Sequence, residues 1–168
     1  MSKAKIASWD QISRIARDLH QRGKRIVFSN GCFDLLHAGH VEYLEQARDL
    51  GDVLIIGLNS DASVQRLKGK HRPIVPQDER ALVLAALESV DYVVVFEQDT
   101  PYELIRLIEP DILVKGGDWP VEEIVGSDIV VAKGGRVHNI YFREGVSTTA
   151  IIDRILKSNR SGSSQRKV

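Results

Sequence analysis

The residues of this sequence best suited to chemistry are two histidines separated by an Ala-Gly pair. They end the segment Asn30–His40, which closes with His37, Ala38, Gly39 and His40. Residues three apart at the start of a helix can face one point, so both imidazoles are expected to meet one ligand. Helix amides and the helix dipole favour an anion there, and Gly39 lets a large anion approach the backbone. The segment therefore predicts a phosphate site.

Two other interpretations of the histidines remain open at this point. His37 and His40, together with Asp34, are a set that can hold zinc. Alternatively, polar residues here only cap a helix. Two histidines flanking a glycine, directly after a glycine-containing strand exit, favour the phosphate interpretation over both.

Hydroxyl and lysine side chains lie in three further loops. Ser147, Thr148 and Thr149 precede the last predicted helix, where an N-cap role and phosphate binding are compatible. The basic loop 68–73 is expected to be a lid over a triphosphate, with Lys68 or Lys70 meeting the α-phosphate; the alternative is a solvated surface loop. Loop 115–119 (Lys-Gly-Gly-Asp-Trp) contains a tight glycine turn that would face the ligand crevice.

Alternating helices and strands must position these loops. The first helix is predicted after Ser8, whose spacing from Gln11 matches a capping box, and it ends near Gly23. The remaining helices are predicted over 39–50, 77–89, 101–109, 121–132 (one helix or two) and 148–157. Strands are predicted over 25–29, 52–58, 91–96, 112–115 and 136–142, as continuous apolar runs suited to burial on both faces. The pattern predicts a Rossmann-like α/β fold, with an open parallel sheet of about five strands and helices on both faces.

Length and composition limit the class of protein. The chain has 168 residues, with Lys plus Arg and Asp plus Glu both totalling 23, and this balance argues against a nucleic-acid partner. A single cysteine, Cys32, excludes an internal disulfide and favours a cytoplasmic location. No run reaches the length of a membrane span and no signal peptide is evident, so no membrane association is expected. One domain is predicted over 1–157, with residues 1–24 packing on it as an N-terminal helix and 158–168 forming a flexible polar tail.

Two common nucleotide motifs do not occur. The sequence has neither a Gly-x-x-x-x-Gly-Lys-Ser/Thr segment nor a Gly-x-Gly-x-x-Gly segment after the first strand. A P-loop ATPase and a dinucleotide-binding enzyme are therefore not favoured.

The segment Asn30–His40 resembles the Gly-x-Phe-Asp-x-x-His-x-Gly-His pattern of the cytidylyltransferase-like nucleotidyltransferases, and the likeness extends from Arg25 to Leu156. Within that family the chain is most similar to enzymes that make ADP-heptose from ATP and D-glycero-β-D-manno-heptose 1-phosphate. In many bacteria that domain is fused to a sugar kinase. No kinase domain is present here, so a stand-alone form is expected, with a separate sugar kinase and a phosphatase in the pathway. A homodimer is a further expectation.

The resemblance also implies roles for individual residues. His37, His40, Lys68 and Lys70 would be catalytic, and Asp118 with Trp119 would bind the sugar phosphate. Cys32 is interpreted as a packing residue within the binding loop, and the surface alternative for Arg80 is an ion pair with Asp78 or Glu79. Mg²⁺ is expected as the cofactor, bound mainly through ATP phosphates rather than protein ligands. The nucleotide would be contacted by Asn30, Gly31, Cys32, Phe33, Asp34, Gly39, Asn59, Arg80, Lys115, Gly116, Arg143, Ser147, Thr148 and Thr149.

The implied reaction is in-line attack by a sugar 1-phosphate oxygen on the α-phosphorus of ATP, with pyrophosphate leaving. A close alternative is a CTP-dependent cytidylyltransferase for glycerol 3-phosphate. Those enzymes carry a segment similar to Arg-Thr-Glu-Gly-Ile-Ser-Thr-Thr before the last helix. Here the segment beginning at Arg143 is one residue shorter and lacks the first threonine, which favours ATP. A non-catalytic nucleotide-binding module is the alternative from another class, and both histidines with the hydroxyl motif argue against it.

Overall fold

Five short apolar segments pair in parallel to form one sheet. The computed structural model describes residues 2–141 and 145–162. The strands are β1 (Ile26–Gly31), β2 (Val53–Asn59), β3 (Tyr92–Phe96), β4 (Ile112–Gly116) and β5 (Arg136–Ile140), in the order β3-β2-β1-β4-β5. Strand β1 therefore lies in the centre, between β2 and β4. The predicted α/β fold with five parallel strands is confirmed.

Helices connect the strands on both faces of the sheet. They are α1 (Trp9–Gln21), α2 (Ala38–Asp49), α3 (Asp61–Lys68), α4 (Gln77–Ala86), α5 (Tyr102–Ile108), α6 (Ser127–Ala132) and α7 (Thr148–Gly162), with short 3₁₀ turns at Ser2–Lys5 and Val121–Glu123. The predicted capping box at the start of α1 is confirmed, because Ser8 and Gln11 exchange side-chain and backbone hydrogen bonds.

Each face of the sheet has its own apolar core. On one face, Val27 and Ile56 pack with Leu44 of α2 and Leu84 of α4. The opposite face is covered by α1, α5 and α6, through residues such as Ile12, Leu104 and Val130. Side chains alternate between faces along a strand, so a continuous apolar strand supplies both cores. Burying each large side chain contributes roughly 1.5–3 kcal/mol.

The strand order places a crevice at the carboxyl ends of β1 and β4. The chain leaves β1 toward β2 and β3 on one side, then crosses to β4 and β5 on the other. Ligands of open parallel sheets bind at such a switch point. The loops after Gly31 and Gly116 both begin there.

Several element boundaries differ from the sequence predictions. Helix α3 is not predicted by the sequence pattern: Ser60 caps it by accepting a hydrogen bond from the Ser63 amide, and Lys68 is its last residue rather than a loop residue. Strand β1 continues to Gly31, two residues past its predicted end. Helix α4 ends at Ala86, since Leu87 is already extended, and α7 continues to Gly162, so residues 158–162 are helical. The rest of the predicted tail, 163–168, lies outside the described residues.

In the described part of the chain, no helix is both long enough and apolar enough to cross a membrane.

Candidate active site

The two predicted histidines stack against each other at the start of α2. Their ring centroids are 3.8 Å apart with an angle of 19° between the planes. His37 is the N-cap residue, with an extended backbone, and its carbonyl accepts from the amides of His40 and Val41. The Nδ1 atoms of both rings are buried and have no hydrogen-bond partner among the described residues. Buried polar atoms are normally satisfied, so this arrangement is typical of a site that a ligand completes.

Gly31 and Phe33 explain how the loop supports the histidines. Phe33 has a positive φ of 44°, and its ring is buried beside Gly31. A Cβ on Gly31 would lie 3.0 Å from that ring, so glycine leaves the room that Phe33 occupies. The Phe33 ring in turn contacts His40, with centroids 5.2 Å apart. Both residues therefore position His40. Gly39 is buried in the first turn of α2.

Burial keeps both imidazoles neutral at physiological pH. Desolvation lowers the pKa of His37, and desolvation together with the adjacent His37 lowers the pKa of His40 to about 4. A neutral imidazole has one N–H and donates one hydrogen bond. The pair therefore offers donors to a phosphate without contributing positive charge of its own.

Asp34 holds the segment that follows α3. Its buried carboxylate accepts from Arg72 Nε at 2.5 Å and from the amides of Ile74 and Val75 at 2.8 and 2.9 Å. These hydrogen bonds, together with the Arg72 charge, keep the pKa of Asp34 below its ordinary value even though burial acts in the opposite direction. The structure thus turns Asp34 toward the predicted lid, which gives it a positioning role.

A zinc site built on His37, His40 and Asp34 does not fit this geometry, because the Asp34 oxygens are already engaged. Within residues 2–141 and 145–162, no cluster of three or more His, Cys, Asp or Glu side chains is arranged to hold a metal ion.

Arg80 is a buried connector between four segments. It donates to the carbonyls of Val75, Cys32 and Asn59 and to the Asp61 carboxylate, at 2.6–2.9 Å. Its side chain is fully buried and its ion pair is with Asp61, so the surface alternative, an ion pair with Asp78 or Glu79, does not fit. In this conformation Arg80 holds the crevice loops together and presents no face to a phosphate. The Asn59 side chain is similarly engaged, donating to Ser63 Oγ at 2.9 Å.

The lysines of the site differ in their surroundings. Lys68 and Lys70 are both exposed, and of these two lysines Lys68 alone acts electrostatically on the Cys32 thiol in the described structure. Burial raises the pKa of Cys32, so the thiol is protonated at neutral pH. Lys115, at the end of β4, is half-buried, and desolvation lowers the pKa of its ammonium.

The start of α7 reaches the histidine loop. Thr148 Oγ1 donates to the Leu35 carbonyl at 3.3 Å, and Ser147 Oγ accepts from the Ala150 amide as the helix cap. Ser147 and Thr149 are exposed. The predicted hydroxyl motif is thus brought next to the histidines, while Arg143, predicted to contact the nucleotide, lies outside the described residues.

The loop after β4 folds tightly back on itself. Trp119 Nε1 donates to the Gly116 carbonyl at 3.0 Å, and Asn139 Nδ2 of β5 donates to the Trp119 carbonyl at 2.7 Å. Gly117 has a φ of 106°, and a Cβ there would lie 2.9 Å from Trp119 Nε1. The Trp119 indole is 49% exposed and Asp118 is exposed, so both remain available to a ligand.

Two residues important to this arrangement are not indicated by the sequence pattern. In the sequence pattern, Arg72 is only one residue of a basic loop, and Asn139 is only one residue of a predicted strand. The partners of Arg72 and Asn139 are 38 and 20 residues away along the chain, so no local pattern reports these contacts.

The chain is similar to curated proteins along most of its length. The chain is 64% identical over 150 residues to "Bifunctional protein HldE" of a Nitratiruptor species, covering 89% of this chain and 32% of the relative. It is 60% identical over 154 residues to the protein of the same name in Wolinella succinogenes, covering 92% of this chain and 32% of the relative. The chain thus spans about a third of the length of these relatives.

Solved structures show the same fold. A lipopolysaccharide core biosynthesis protein from Thermoplasma volcanium GSS1 matches with a TM-score of 0.57 and 27% identity, over 72% of this chain and 98% of that one. A pantoate-beta-alanine ligase from Francisella tularensis matches with a TM-score of 0.55 and 15% identity, over 83% of this chain and 67% of that one, which supports the fold alone. The family model described as "Cytidylyltransferase-like" matches residues 28–154, most of the described chain and its histidine loop. The chain belongs to the cytidylyltransferase-like family.

Proposed function

We propose that this chain transfers AMP from ATP to D-glycero-β-D-manno-heptose 1-phosphate, giving ADP-heptose and pyrophosphate for the inner core of lipopolysaccharide. The observation that carries the proposal is the stacked pair His37 and His40 at the start of α2, beside the switch point of the sheet. Identity of 54–64% to the proteins named HldE supports the choice of heptose and ATP within the family.

The reaction needs positioning and charge stabilisation more than proton transfer. A phosphate oxygen of the acceptor forms a bond to the α-phosphorus of ATP, and the bond from that phosphorus to the bridging oxygen of pyrophosphate breaks. The acceptor phosphate is already an anion at neutral pH, so no general base is required. His37 and His40 donate to the α-phosphate and the bridging oxygen, where charge develops.

Other groups act on the remaining phosphates. Lys68 supplies positive charge from the end of α3, and the Ser147 and Thr148 hydroxyls with the first amides of α7 hold the β- and γ-phosphates. Asp34 and Arg80 do not touch the substrates; they keep the lid and the strand exits in place.

Magnesium fits this site as an ion brought by the nucleotide. The site offers imidazoles, hydroxyls and lysines, while Mg²⁺ prefers oxygen ligands and usually retains water and phosphate oxygens. The Asp34 carboxylate is already engaged by three donors. The ion would therefore be held by ATP phosphates and water, where it neutralises phosphate charge.

The substrates indicate the setting of the enzyme. ATP and a phosphorylated sugar are available in the cytoplasm, where we place the reaction. A sugar kinase must supply a phosphorylated heptose. If the kinase product carries a second phosphate, a phosphatase must remove that phosphate before this step.

Pyrophosphate release tests the proposal. The chain is assayed with ATP or CTP, each paired with heptose 1-phosphate or glycerol 3-phosphate, with Mg²⁺ present. Turnover is expected with ATP and heptose 1-phosphate. Turnover with CTP and glycerol 3-phosphate alone would keep the reaction type and replace both substrates, and binding of nucleotide without pyrophosphate release in any pair would indicate a non-catalytic module.

A further inference from the structure

Lys115 lies across the sheet from the histidines. Val114 packs in the same core as α2, and side chains alternate along a strand, so Lys115 faces the opposite side with Leu113. Lys115 is the next-to-last residue of β4, whose carboxyl end borders the crevice, and the Cys32 thiol in the loop after β1 acts on its charge electrostatically. The strand β4 thus directs a cation into the switch point from the face opposite α2.

The Lys115 ammonium has no hydrogen-bond acceptor or carboxylate partner among residues 2–141 and 145–162. The nearby Cys32 thiol is protonated at neutral pH and does not balance the charge. A half-buried charge without a partner is costly, and the cost is removed when an anion binds.

Asn139 adds a second unpartnered group beside this lysine. It is the register partner of Lys115 on β5, so the two side chains leave the same face of the sheet. Asn139 Nδ2 holds the Trp119 carbonyl, whereas its buried Oδ1 has no donor among the described residues. A ligand hydroxyl would satisfy Oδ1, so the corner suits a molecule that carries both a phosphate and hydroxyl groups.

The geometry of phosphoryl transfer indicates which substrate phosphate would bind at Lys115. The attacking and leaving oxygens lie roughly in line on opposite sides of the α-phosphorus. The histidines and the start of α7 lie together on the α2 side, where the proposed function puts the leaving pyrophosphate. The acceptor must then enter from the other side.

We propose that Lys115 binds the phosphate of the hydroxylated acceptor and not the nucleotide, and that Asn139 Oδ1 accepts a hydrogen bond from one hydroxyl of that acceptor. This inference rests on the proposed function and refines the sequence prediction, which assigned Lys115 to the nucleotide.

Initial rates of pyrophosphate release test it. Lys115→Met keeps the length of the side chain and removes the charge, and Lys115→Arg keeps a charge. In Lys115→Met we expect the KM for heptose 1-phosphate to rise about 10-fold or more, with the KM for ATP within about twofold of the unaltered chain. Lys115→Arg should recover part of the loss, and the exposed Lys3→Met should match the unaltered chain.

The possible outcomes separate the two proposals. A rise in the KM for ATP with an unchanged KM for the acceptor would return Lys115 to the nucleotide and leave the proposed function intact. If the unaltered chain releases no pyrophosphate with a sugar phosphate, the proposed function fails and this inference fails with it. If Lys115→Met unfolds early, Lys115→Gln is measured in its place, and Asn139→Ala must raise the same acceptor KM.

Discussion

The imidazole rings of His37 and His40 stack 3.8 Å apart in a pocket wall formed partly by Phe33. Stacking brings two neutral donors to one point, and charging either ring would place a cation against its neighbour. The arrangement explains why burial and proximity both disfavour the protonated form of His40.

Replacing His40 should remove catalysis without removing the fold. In His40→Ala we expect kcat to fall about 100- to 1,000-fold, because one donor to the developing phosphate charge is lost. Pyrophosphate release and thermal unfolding are measured on the same sample. His138→Ala, which removes an imidazole from β5, is the control, and near-normal turnover in His40→Ala would contradict the role given to His40.

The lowered pKa of His40 predicts a specific loss of stability in acid. The unfolded ring takes up a proton near pH 6.5, whereas the folded ring resists protonation until about pH 4. The unfolded state therefore binds more protons in this window, and stability present above pH 6.5 declines as pH falls toward 4. Urea unfolding at pH 7.5, 5.5 and 4.5 should show a smaller decline in His40→Gln than in the unaltered chain. Parallel declines in the two proteins would refute this explanation.

Removing the Asp34 charge should loosen the lid. Asp34→Asn loses the ion pair with Arg72 and sets an amide N–H near the amides of Ile74 and Val75. We expect unfolding to require about 2–3 kcal/mol less free energy, with faster amide exchange over 69–76. The exposed Asp10→Asn is the matched control. Unchanged exchange in that segment would show that Asp34 does not anchor it.

The two lid lysines should differ in their effect on turnover. The Lys68 charge acts electrostatically on Cys32 in the histidine loop, whereas no such effect of Lys70 is found in the described structure. Lys68→Met should therefore lower kcat about 10-fold or more, and Lys70→Met by less than about threefold. Steady-state kinetics at saturating ATP decide between them, and the reverse order would assign the α-phosphate contact to Lys70.

Arg80 should behave as a structural residue. Lysine cannot reproduce its four hydrogen bonds, so Arg80→Lys should lower the free energy of unfolding by about 2–4 kcal/mol. Its affinity for ATP, measured well below the unfolding temperature, should change little. A stable variant with a large loss of ATP affinity would instead make Arg80 a phosphate contact.

The sheet is predictable from the sequence because its strands carry their own signal. Continuous apolar runs such as Tyr92–Phe96 and turn residues such as Gly51 are local, and parallel pairing follows from the alternation of elements. The strand order and its switch point are known only from the structure. Helix α3 escapes prediction because it is short and polar; its only local signals are Ser60 and Asp61 at the start.

The site is predictable only in part, for a related reason. The histidine spacing is a local property, so the sequence alone pairs His37 with His40. The connections of Asp34 to Arg72 and of Arg80 to Cys32 and Asn59 join segments 21–48 residues apart. Those contacts depend on how the loops pack, so the sequence does not report that Asp34 and Arg80 connect these loops, and their predicted contacts with the nucleotide stay a prediction.

The ion pair between Asp34 and Arg72 also limits which sequence segments can be exchanged between members of this family. It joins the histidine loop to the segment after α3, so the conformation of each segment depends on the other. A chimera that takes only the lid from a relative would leave Asp34 facing an unmatched backbone. Recombination is expected to succeed when residues 30–40 and 69–80 are inherited as one block, although strand β2, helix α3 and most of helix α2 separate them along the chain.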